Sequence, residues 1–97
     1  MDEFAWDDIK SERNLERRGF DFEYATRVFR GPVIVREDRR REYGEDRLIA
    51  LGVVDGVNLT VVYTDRVELG RPVRRIISAR HSNRQERAEY GDCISKG

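Results

Sequence analysis

The sequence predicts an α+β fold, with two N-terminal helices, a four-stranded antiparallel sheet and a C-terminal helix. Apolar residues at helical spacing mark the second helix, and Asp55-Gly56 between two apolar runs marks a β-hairpin. A strand-like run from Val73 then passes into a segment with helix-capping residues. Because the chain has 97 residues, we expect one domain, residues 1–97, with one modest core and a few frayed C-terminal residues.

The ends of the first helix are marked by capping residues. Asp7 or Asp8 can accept hydrogen bonds at its start, and the helix is expected to run to about Arg18. Gly19 suits the left-handed residue that ends a helix. The helix has few apolar residues, so we expect it at the periphery of the domain.

The second and last helices are predicted from the same kinds of signal. Asp21 caps the second helix, which runs to about Arg30. Its core-facing residues are Phe22, Ala25, Val28 and Phe29. Ser82 caps the last helix, and Gln85 three residues later completes a capping box. That helix is expected to reach about Tyr90.

Four strands are expected, at Val33–Glu37, Arg47–Val54, Val57–Thr64 and Val73–Arg80. The Asp55-Gly56 turn sets the register of the central hairpin, because both turn residues need positive φ. The predicted pairs are Val54 with Val57, Gly52 with Leu59, Ala50 with Val61, and Leu48 with Tyr63. The segment Gly70-Arg71-Pro72 is expected to form the loop before the last strand.

The two faces of this hairpin differ in polarity. One face is entirely apolar, so we expect it to pack against a helix. The other face mixes apolar residues with polar ones such as Thr60, which indicates partial cover by the last helix or by a partner. On this interpretation Ala50→Lys disrupts folding, whereas Thr60→Lys leaves folding intact.

The formal charges are unevenly distributed along a chain whose total is neutral. Residues 1–16 contain six acids and two bases, near −4, whereas residues 71–90 contain six arginines and two glutamates, near +4. Only Lys10 and Lys96 among the 19 basic residues are lysines. A concentrated arginine segment suits an anionic polymer such as RNA, although genomic base composition is an alternative source of the arginines.

The composition argues against several classes of protein. Cys93 is the only cysteine, so no internal disulfide forms and nothing indicates an oxidising compartment. No Cys/His set exists for zinc, and we expect neither a metal nor a cofactor. No run approaches the roughly 20 apolar residues of a membrane span, and the acidic start is unlike a signal peptide. We therefore expect a cytoplasmic protein without membrane contact.

An arginine cluster near the C-terminus is the leading candidate site. Residues expected on one face of the last strand are Arg74, Ile76, Ser78 and Arg80. Arg80 ends this strand, and Arg84 and Arg87 lie three residues apart on the helix that follows, where they can share a face. The functional hypothesis is phosphate binding. The alternative is a solvated helix face paired with Glu86 and Glu89.

Several other residues have two interpretations each. His81, the only histidine, could move a proton in RNA cleavage or could be a polar junction residue. Tyr90 could donate a proton or stack on a base, but seating the last helix is the favoured interpretation. Arg17 and Arg18 could bind phosphate or simply complement the helix dipole. The run Arg39-Arg40-Arg41 is diluted by neighbouring acids, which favours a solvated loop.

The chemistry that these residues could support is RNA cleavage without a metal. The ribose 2′-hydroxyl attacks its own phosphate, so the enzyme supplies a base, a cationic clamp for the developing charge, and an acid. Arginines together with His81 or Tyr90 meet that need. No glycine-rich phosphate loop, Ser-His-Asp set or carboxylate pair stands out as a rival site.

A series of short motifs extends from about residue 4 to residue 90: Phe4-x-Trp6-Asp7, Lys10, Asn14, Gly19, the helix from Phe22 to Phe29, Tyr43-Gly-Glu-Asp-Arg47, Val61-Val-Tyr-Thr64, Ile76-Ile-Ser-Ala-Arg80 and Arg84-x-Glu-Arg87-x-x-Tyr90. In this order and spacing, the motifs resemble the BrnT family of type II toxins. The resemblance implies a small RelE-like fold and a ribonuclease that halts translation.

The resemblance also implies partners and site residues. The expected partners are an RNA substrate and a BrnA-like antitoxin with a ribbon-helix-helix part, and operator DNA is contacted only through the antitoxin. The family's basic sites correspond to Arg80, Arg84 and Arg87. The family usually has Lys-His-Gly where this chain has Arg17-Arg18-Gly19, so cations remain but a histidine is lost. Proton transfer then falls to His81, or the chain is a weakened toxin that acts as an antitoxin-binding or RNA-binding module.

Two sets of site residues follow from these observations. The expected catalytic residues are Arg18, Arg80, His81 and Tyr90. The expected RNA phosphate-binding residues are Arg17, Arg74, Arg84 and Arg87.

Overall fold

A five-stranded mixed sheet and three helices make up the computed structural model, which describes residues 3–40, 42 and 44–96. In chain order the elements are β1 (Phe4–Ala5), α1 (Asp8–Arg18), α2 (Phe22–Thr26), a 3₁₀ turn (Arg27–Arg30), β2 (Ile34–Glu37), β3 (Leu48–Val54), β4 (Val57–Glu68), β5 (Arg71–His81) and α3 (Arg84–Lys96). The strand order is β1-β5-β4-β3-β2. The α+β class is as predicted, but the sheet has a fifth strand, β1, which pairs in parallel with β5.

The predicted ends of α1 are confirmed. The Asp7 carboxylate accepts hydrogen bonds from the backbone N–H groups of Ile9 and Lys10, at 2.9 and 3.1 Å. Gly19 follows the helix with φ 85°, and its N–H donates to the carbonyl of Leu15. None of the helices in the described part of the chain is long and apolar enough to cross a membrane.

The second predicted helix is present but changes geometry halfway along. It is α-helical only from Phe22 to Thr26 and continues as the 3₁₀ turn to Arg30. Phe22, Ala25 and Val28 are buried against the sheet, as their spacing predicts. The main core therefore lies between this segment and one face of β3, β4 and β5.

The β3–β4 hairpin has the predicted register at every pair named above. Its turn residues Asp55 and Gly56 have φ 51° and 79°, the two positive values that a tight hairpin of this kind needs. Gly52 in β3 lies directly under the 3₁₀ turn. A Cβ atom there would approach the Cβ of Val28 to 2.7 Å, so this position requires glycine.

The β4–β5 hairpin is longer than predicted. The two strands continue to Glu68 and from Arg71, and only Leu69 and Gly70 form the turn, with φ 52° and 74°. The predicted loop Gly70-Arg71-Pro72 is therefore wrong. Pro72 stands within the strand, opposite Val67.

A β-bulge in β5 reverses which side chains point to each face. Val62 pairs with Ser78 and Tyr63 pairs with Ile76, so Ile77 has no partner of its own. Arg74 and Ile76 consequently lie on the face covered by α2, whereas Ser78 and Arg80 point to the other face. The prediction that all four share one face is wrong, because strict alternation does not survive an inserted residue.

The cap of α3 differs from the prediction by one residue. The Asn83 side chain accepts from the Glu86 N–H at 2.8 Å, and the Glu86 carboxylate accepts from the Asn83 N–H at 2.9 Å. The predicted Ser82 and Gln85 box is therefore wrong. The helix also continues past its predicted end at Tyr90 to Lys96.

The second face of the sheet is more thoroughly covered than predicted. Ile49, Leu51 and Val62 form a small second core, against which Tyr90 of α3 packs. Thr60 is 1% exposed, so the expectation that Thr60→Lys leaves folding intact is wrong. The predictions that involve Arg41 and Tyr43 lie outside the described residues.

Candidate active site

Arg80 is held by a buried carboxylate from α3. Its Nη1 and Nη2 atoms donate to Oε1 and Oε2 of Glu86 at 2.7 and 2.9 Å, a bidentate pair. The Glu86 side chain is 5% exposed and that of Arg80 is 42% exposed. The pair therefore joins the end of β5 to the first turn of α3 and leaves the arginine accessible.

Glu86 is anchored by more than the arginine. Oε1 also accepts from the Thr60 hydroxyl at 3.1 Å and from the Asn83 N–H, and Arg36 approaches Oε2 at 3.6 Å. Hydrogen bonds from Arg80 first of all, and then from Asn83 and Thr60, lower the pKa of Glu86 to about 2 in spite of its burial. The carboxylate is therefore ionised and fixed in place throughout the neutral range.

One edge of the Arg80 guanidinium remains available for a ligand. Glu86 binds the two terminal nitrogens, Nη1 and Nη2, and no described residue accepts a hydrogen bond from Nε. The side chain lines an open groove of about 420 Å³ on the second face. The groove is also lined by Arg36, Thr60 and Ser78. The Nε edge can therefore donate hydrogen bonds to a phosphate while the pair with Glu86 stays intact.

His81 lies on the opposite face of β5 from Arg80, as alternation requires for neighbouring residues. Its ring meets the Phe20 ring edge-on, with centroids 5.1 Å apart. Nε2 is 3.3 Å from the carbonyl oxygen of Arg18. Because a carbonyl only accepts, Nε2 carries the proton in this contact, and Nδ1 is the nitrogen free to exchange one. The ring borders a groove of about 500 Å³ that Arg18 and Tyr24 also line.

Arg18 lies at the edge of the sheet, between the faces on which Arg80 and His81 point. Its Nη1 donates to the Asn14 side chain at 2.8 Å and to the Ala79 carbonyl at 3.2 Å. The carbonyl of Ala79 belongs to the part of β5 that β1 does not pair with. Arg18 therefore covers an exposed strand edge and fixes the end of α1 against the end of β5.

A second, smaller groove beside Arg18 is cationic. It has a volume of about 180 Å³, and Lys10, Arg13, Arg17 and Arg18 line it together with Ser78. Lys10, Arg13 and Arg17 form no ion pair within the part of the chain that the structure describes. Four cations around one groove repel each other, and a bound anion would relieve that repulsion.

The remaining predicted site residues are not all close to these grooves. Arg87 lines none of these grooves, and its Nη1 donates to the Ser82 carbonyl at 2.8 Å, two residues beyond Arg80. Arg84 is exposed on the first turn of α3 and pairs with no described acid. The Tyr90 hydroxyl donates to the Pro32 carbonyl at 2.9 Å, and neither of these two residues lines one of the grooves.

Arg74 is set apart from the other arginines. Asp65 binds it through Nε and Nη2 at 2.8 and 2.9 Å. Its guanidinium also lies over the rings of Phe29 and Tyr63, at 4.7 and 4.4 Å from their centroids. The side chain is 19% exposed, and Asp65 binds the same Nε edge that is open in Arg80.

Sequence reasoning missed two parts of this arrangement. Glu86 was considered only as a surface partner of arginines, and its burial depends on the path of α3 over Thr60. Lys10 and Arg13 were not considered as ligands for phosphate. Their spacing with Arg17, three and then four residues, places all three on one side of α1 and is the signal that could have revealed them.

The described residues contain no group of three or more His, Cys, Asp or Glu side chains placed to hold a metal ion. A comparison with curated proteins gives no match. A comparison with family models matches residues 6–86 to the ribonuclease toxin, BrnT, of type II toxin-antitoxin systems. This match covers most of the chain, including α1, the four strands from β2 to β5 and the start of α3. The chain therefore belongs to the BrnT family of ribonuclease toxins.

Proposed function

We propose that this chain is a metal-independent endoribonuclease that cleaves RNA, inhibits translation and is neutralised by a BrnA-like antitoxin. The observation that supports the proposal most is the cationic groove beside α1, where Lys10, Arg13 and Arg17 have no acidic partner among the described residues. Side chains of this kind bind phosphate oxygens by charge and by hydrogen bonds.

The two grooves beside β5 lie next to each other. Ser78 lines both the α1 groove and the groove of Arg80. An RNA strand that crosses the outer edge of β5 at Ser78 would thus place one phosphate near Arg17 and a neighbouring phosphate near Arg80. Arg84 and Arg87, on the helix that follows, would extend this cationic path.

The proposed chemistry assigns each residue a separate task. The 2′-hydroxyl of the ribose attacks the adjacent phosphorus, the bond from phosphorus to the 5′-oxygen of the next nucleotide breaks, and the Nε edge of Arg80 stabilises the charge that develops on the phosphate oxygens. Arg18, between the two faces, holds the strand end and adds positive potential. Because His81 points to the opposite face of β5, its Nδ1 can take the proton of the 2′-hydroxyl and return it to the departing 5′-oxygen only where the RNA passes around the strand edge at Arg18. The Tyr90 hydroxyl is engaged by Pro32, which supports its role in seating α3 rather than in proton transfer.

The proposal is tested by expressing the chain alone and incubating it with RNA in excess chelator. We expect RNA fragments ending in a 2′,3′-cyclic phosphate, since the 2′-hydroxyl is the nucleophile. Circular dichroism of the same sample shows whether the protein is folded. Intact RNA after incubation with folded protein contradicts the proposed activity.

The α1 groove makes its own prediction about affinity. Arg17→Gln is expected to weaken RNA binding about threefold to tenfold and to reduce the slope of log affinity against log salt by about one unit. Arg30→Gln is the matched control, because Arg30 is exposed at the end of the 3₁₀ turn and lines neither groove. Equal effects of the two substitutions would remove the α1 groove from the RNA path.

A second candidate function is a catalytically weakened toxin that acts as an antitoxin-binding or RNA-binding module. One observation favours it: Arg80 and His81 point to opposite faces of β5, and Arg18 stands where the family usually has histidine. An RNA-binding module would bind RNA with strong salt dependence and leave no fragments. The cleavage assay in chelator therefore separates the two functions.

The antitoxin proposal rests on membership of a type II toxin family, whose members act with a protein antitoxin. We propose that the partner has a ribbon-helix-helix part and that operator DNA is contacted only through it. The product of a neighbouring reading frame should co-purify with this chain and abolish RNA cleavage. Operator binding by this chain without that product would contradict the assignment.

A further inference from the structure

We infer that Glu86 is a positioning residue for RNA cleavage, which holds the Arg80 guanidinium end-on so that its Nε edge faces the phosphate. The inference rests on the proposed function, because it requires that Arg80 acts on RNA. It goes further by giving a task to an acidic residue within a cationic site, where an acid would otherwise only weaken the binding of an anion.

The contacts of Glu86 are those of a fixed support. Both carboxylate oxygens bind Arg80, and Oε1 is held in addition by the Thr60 hydroxyl and the Asn83 N–H. Thr60 is 1% exposed and comes from the centre of the sheet, whereas Asn83 begins α3. The carboxylate is thus tied to two elements of secondary structure, and a long flexible arginine is restricted to one orientation.

The geometry of the pair distinguishes support from masking. If Glu86 only masked Arg80, it would leave no edge of the guanidinium free for a phosphate. It instead takes Nη1 and Nη2, and no described residue accepts from Nε. The 42% exposure of the Arg80 side chain shows that solvent, and therefore a ligand, reaches it. The negative charge of Glu86 weakens the attraction of the site for RNA, but its hydrogen bonds fix the orientation of the Nε edge of Arg80.

These two roles predict different kinetics for Glu86→Gln. Glutamine has nearly the same shape but offers one carbonyl oxygen and no charge, so Arg80 loses its bidentate anchor. A positioning role predicts that kcat falls at least about tenfold while KM stays the same or decreases, because one negative charge has left the site. A masking role predicts a higher kcat/KM than in the parent protein.

The experiment measures kcat and KM for the parent chain, Glu86→Gln, Arg80→Gln and the double variant. If Glu86 acts through Arg80, the double variant is no slower than Arg80→Gln alone. Glu89→Gln is the control, because Glu89 lies one turn further along α3 and accepts a hydrogen bond from Arg36 rather than from Arg80. Its kcat should stay within about twofold of the parent.

Three outcomes overturn the inference. They are a Glu86→Gln kcat within about twofold of the parent, a further loss in the double variant, and a rise in kcat/KM. If Glu86→Gln is unfolded, Thr60→Val removes one anchor of the carboxylate and should lower kcat several-fold, and an unchanged kcat overturns the inference. An inactive parent chain overturns the proposed function and this inference with it, whereas an active parent leaves the function standing whatever Glu86 does.

Discussion

Arg74 and Arg80 lie six residues apart on one strand, and each forms a bidentate pair with a carboxylate, yet the two sites have opposite character. Arg74 is bound by Asp65 through its Nε edge and lies over two aromatic rings. Arg80 is bound through the end of its fork and keeps the Nε edge open. The two pairs therefore differ in which edge of the guanidinium is left free for a ligand.

The cause of the difference is the bulge at Ile77. Without it, the side chains of Arg74 and Arg80 would point to the same face, since six residues is an even number of steps along a strand. With it, one arginine is directed into the aromatic side of the core and the other towards the open groove. A single inserted residue thus separates a structural cation from the proposed catalytic one.

Inserting an alanine between Val62 and Tyr63 is expected to have the largest effect on this arrangement. The added residue gives Ile77 a partner on β4 and removes the bulge, so regular alternation turns the half of β5 that carries either Arg74 or Arg80 to the wrong face. The insertion should therefore cost several kcal/mol, on the order of the stability of a small domain. Ile77→Ala keeps the bulge and should cost only about 1 kcal/mol, because Ile77 is partly exposed. Urea unfolding measures both, and a cooperative transition of parental stability in the insertion variant would contradict the role given to the bulge.

Arg74→Gln tests the structural half of the comparison. The variant loses the pair with Asp65 and both ring contacts, so the free energy of unfolding should fall by about 2 kcal/mol. Arg71→Gln is the control, since the Arg71 side chain is 76% exposed and lies 3.8 Å from Glu3. Chemical denaturation that shows the same small change for both would remove the distinction between Arg74 and a surface arginine.

Glu86→Gln is expected to lower stability by an amount that depends on pH. The pKa of Glu86 is lowered from its usual 4.5 to about 2, so its ionised form stabilises the fold fully above about pH 4.5. That contribution, about 1–3 kcal/mol, is lost as the pH falls towards 2. The stability difference between parent and variant should therefore shrink over this range. A difference that stays constant between pH 7 and pH 2.5 would contradict the pairing.

The parts of the fold that were predicted correctly depend on local signals. The β3–β4 register follows from the Asp55-Gly56 turn, and the limits of α1 follow from Asp7 and Gly19. The errors arise where tertiary contacts decide between local options. Asn83 rather than Ser82 caps α3, because Ser82 is turned inward to a hydrogen bond with Thr60.

The candidate site was less predictable than the fold. The strand position of Arg80 and its place next to the last helix were predicted, but no local pattern indicates a bulge at Ile77, since bulges are set by pairing with the neighbouring strand. β1 was missed because two residues give no periodicity. The role of Glu86 was hidden because its partners, Thr60 and Arg80, come from two different strands.

The most direct test of the account compares RNA cleavage by Arg80→Gln and Arg74→Gln, in excess chelator, at a temperature where both variants are folded. Arg80→Gln is expected to lose at least about 100-fold in kcat, because a donor to the developing phosphate charge is removed. Arg74→Gln should retain parental kcat per folded molecule despite its lower stability. Parental cleavage by Arg80→Gln, or equal losses in the two variants, would contradict the proposal that Arg80 acts on the phosphate and Arg74 only stabilises the fold.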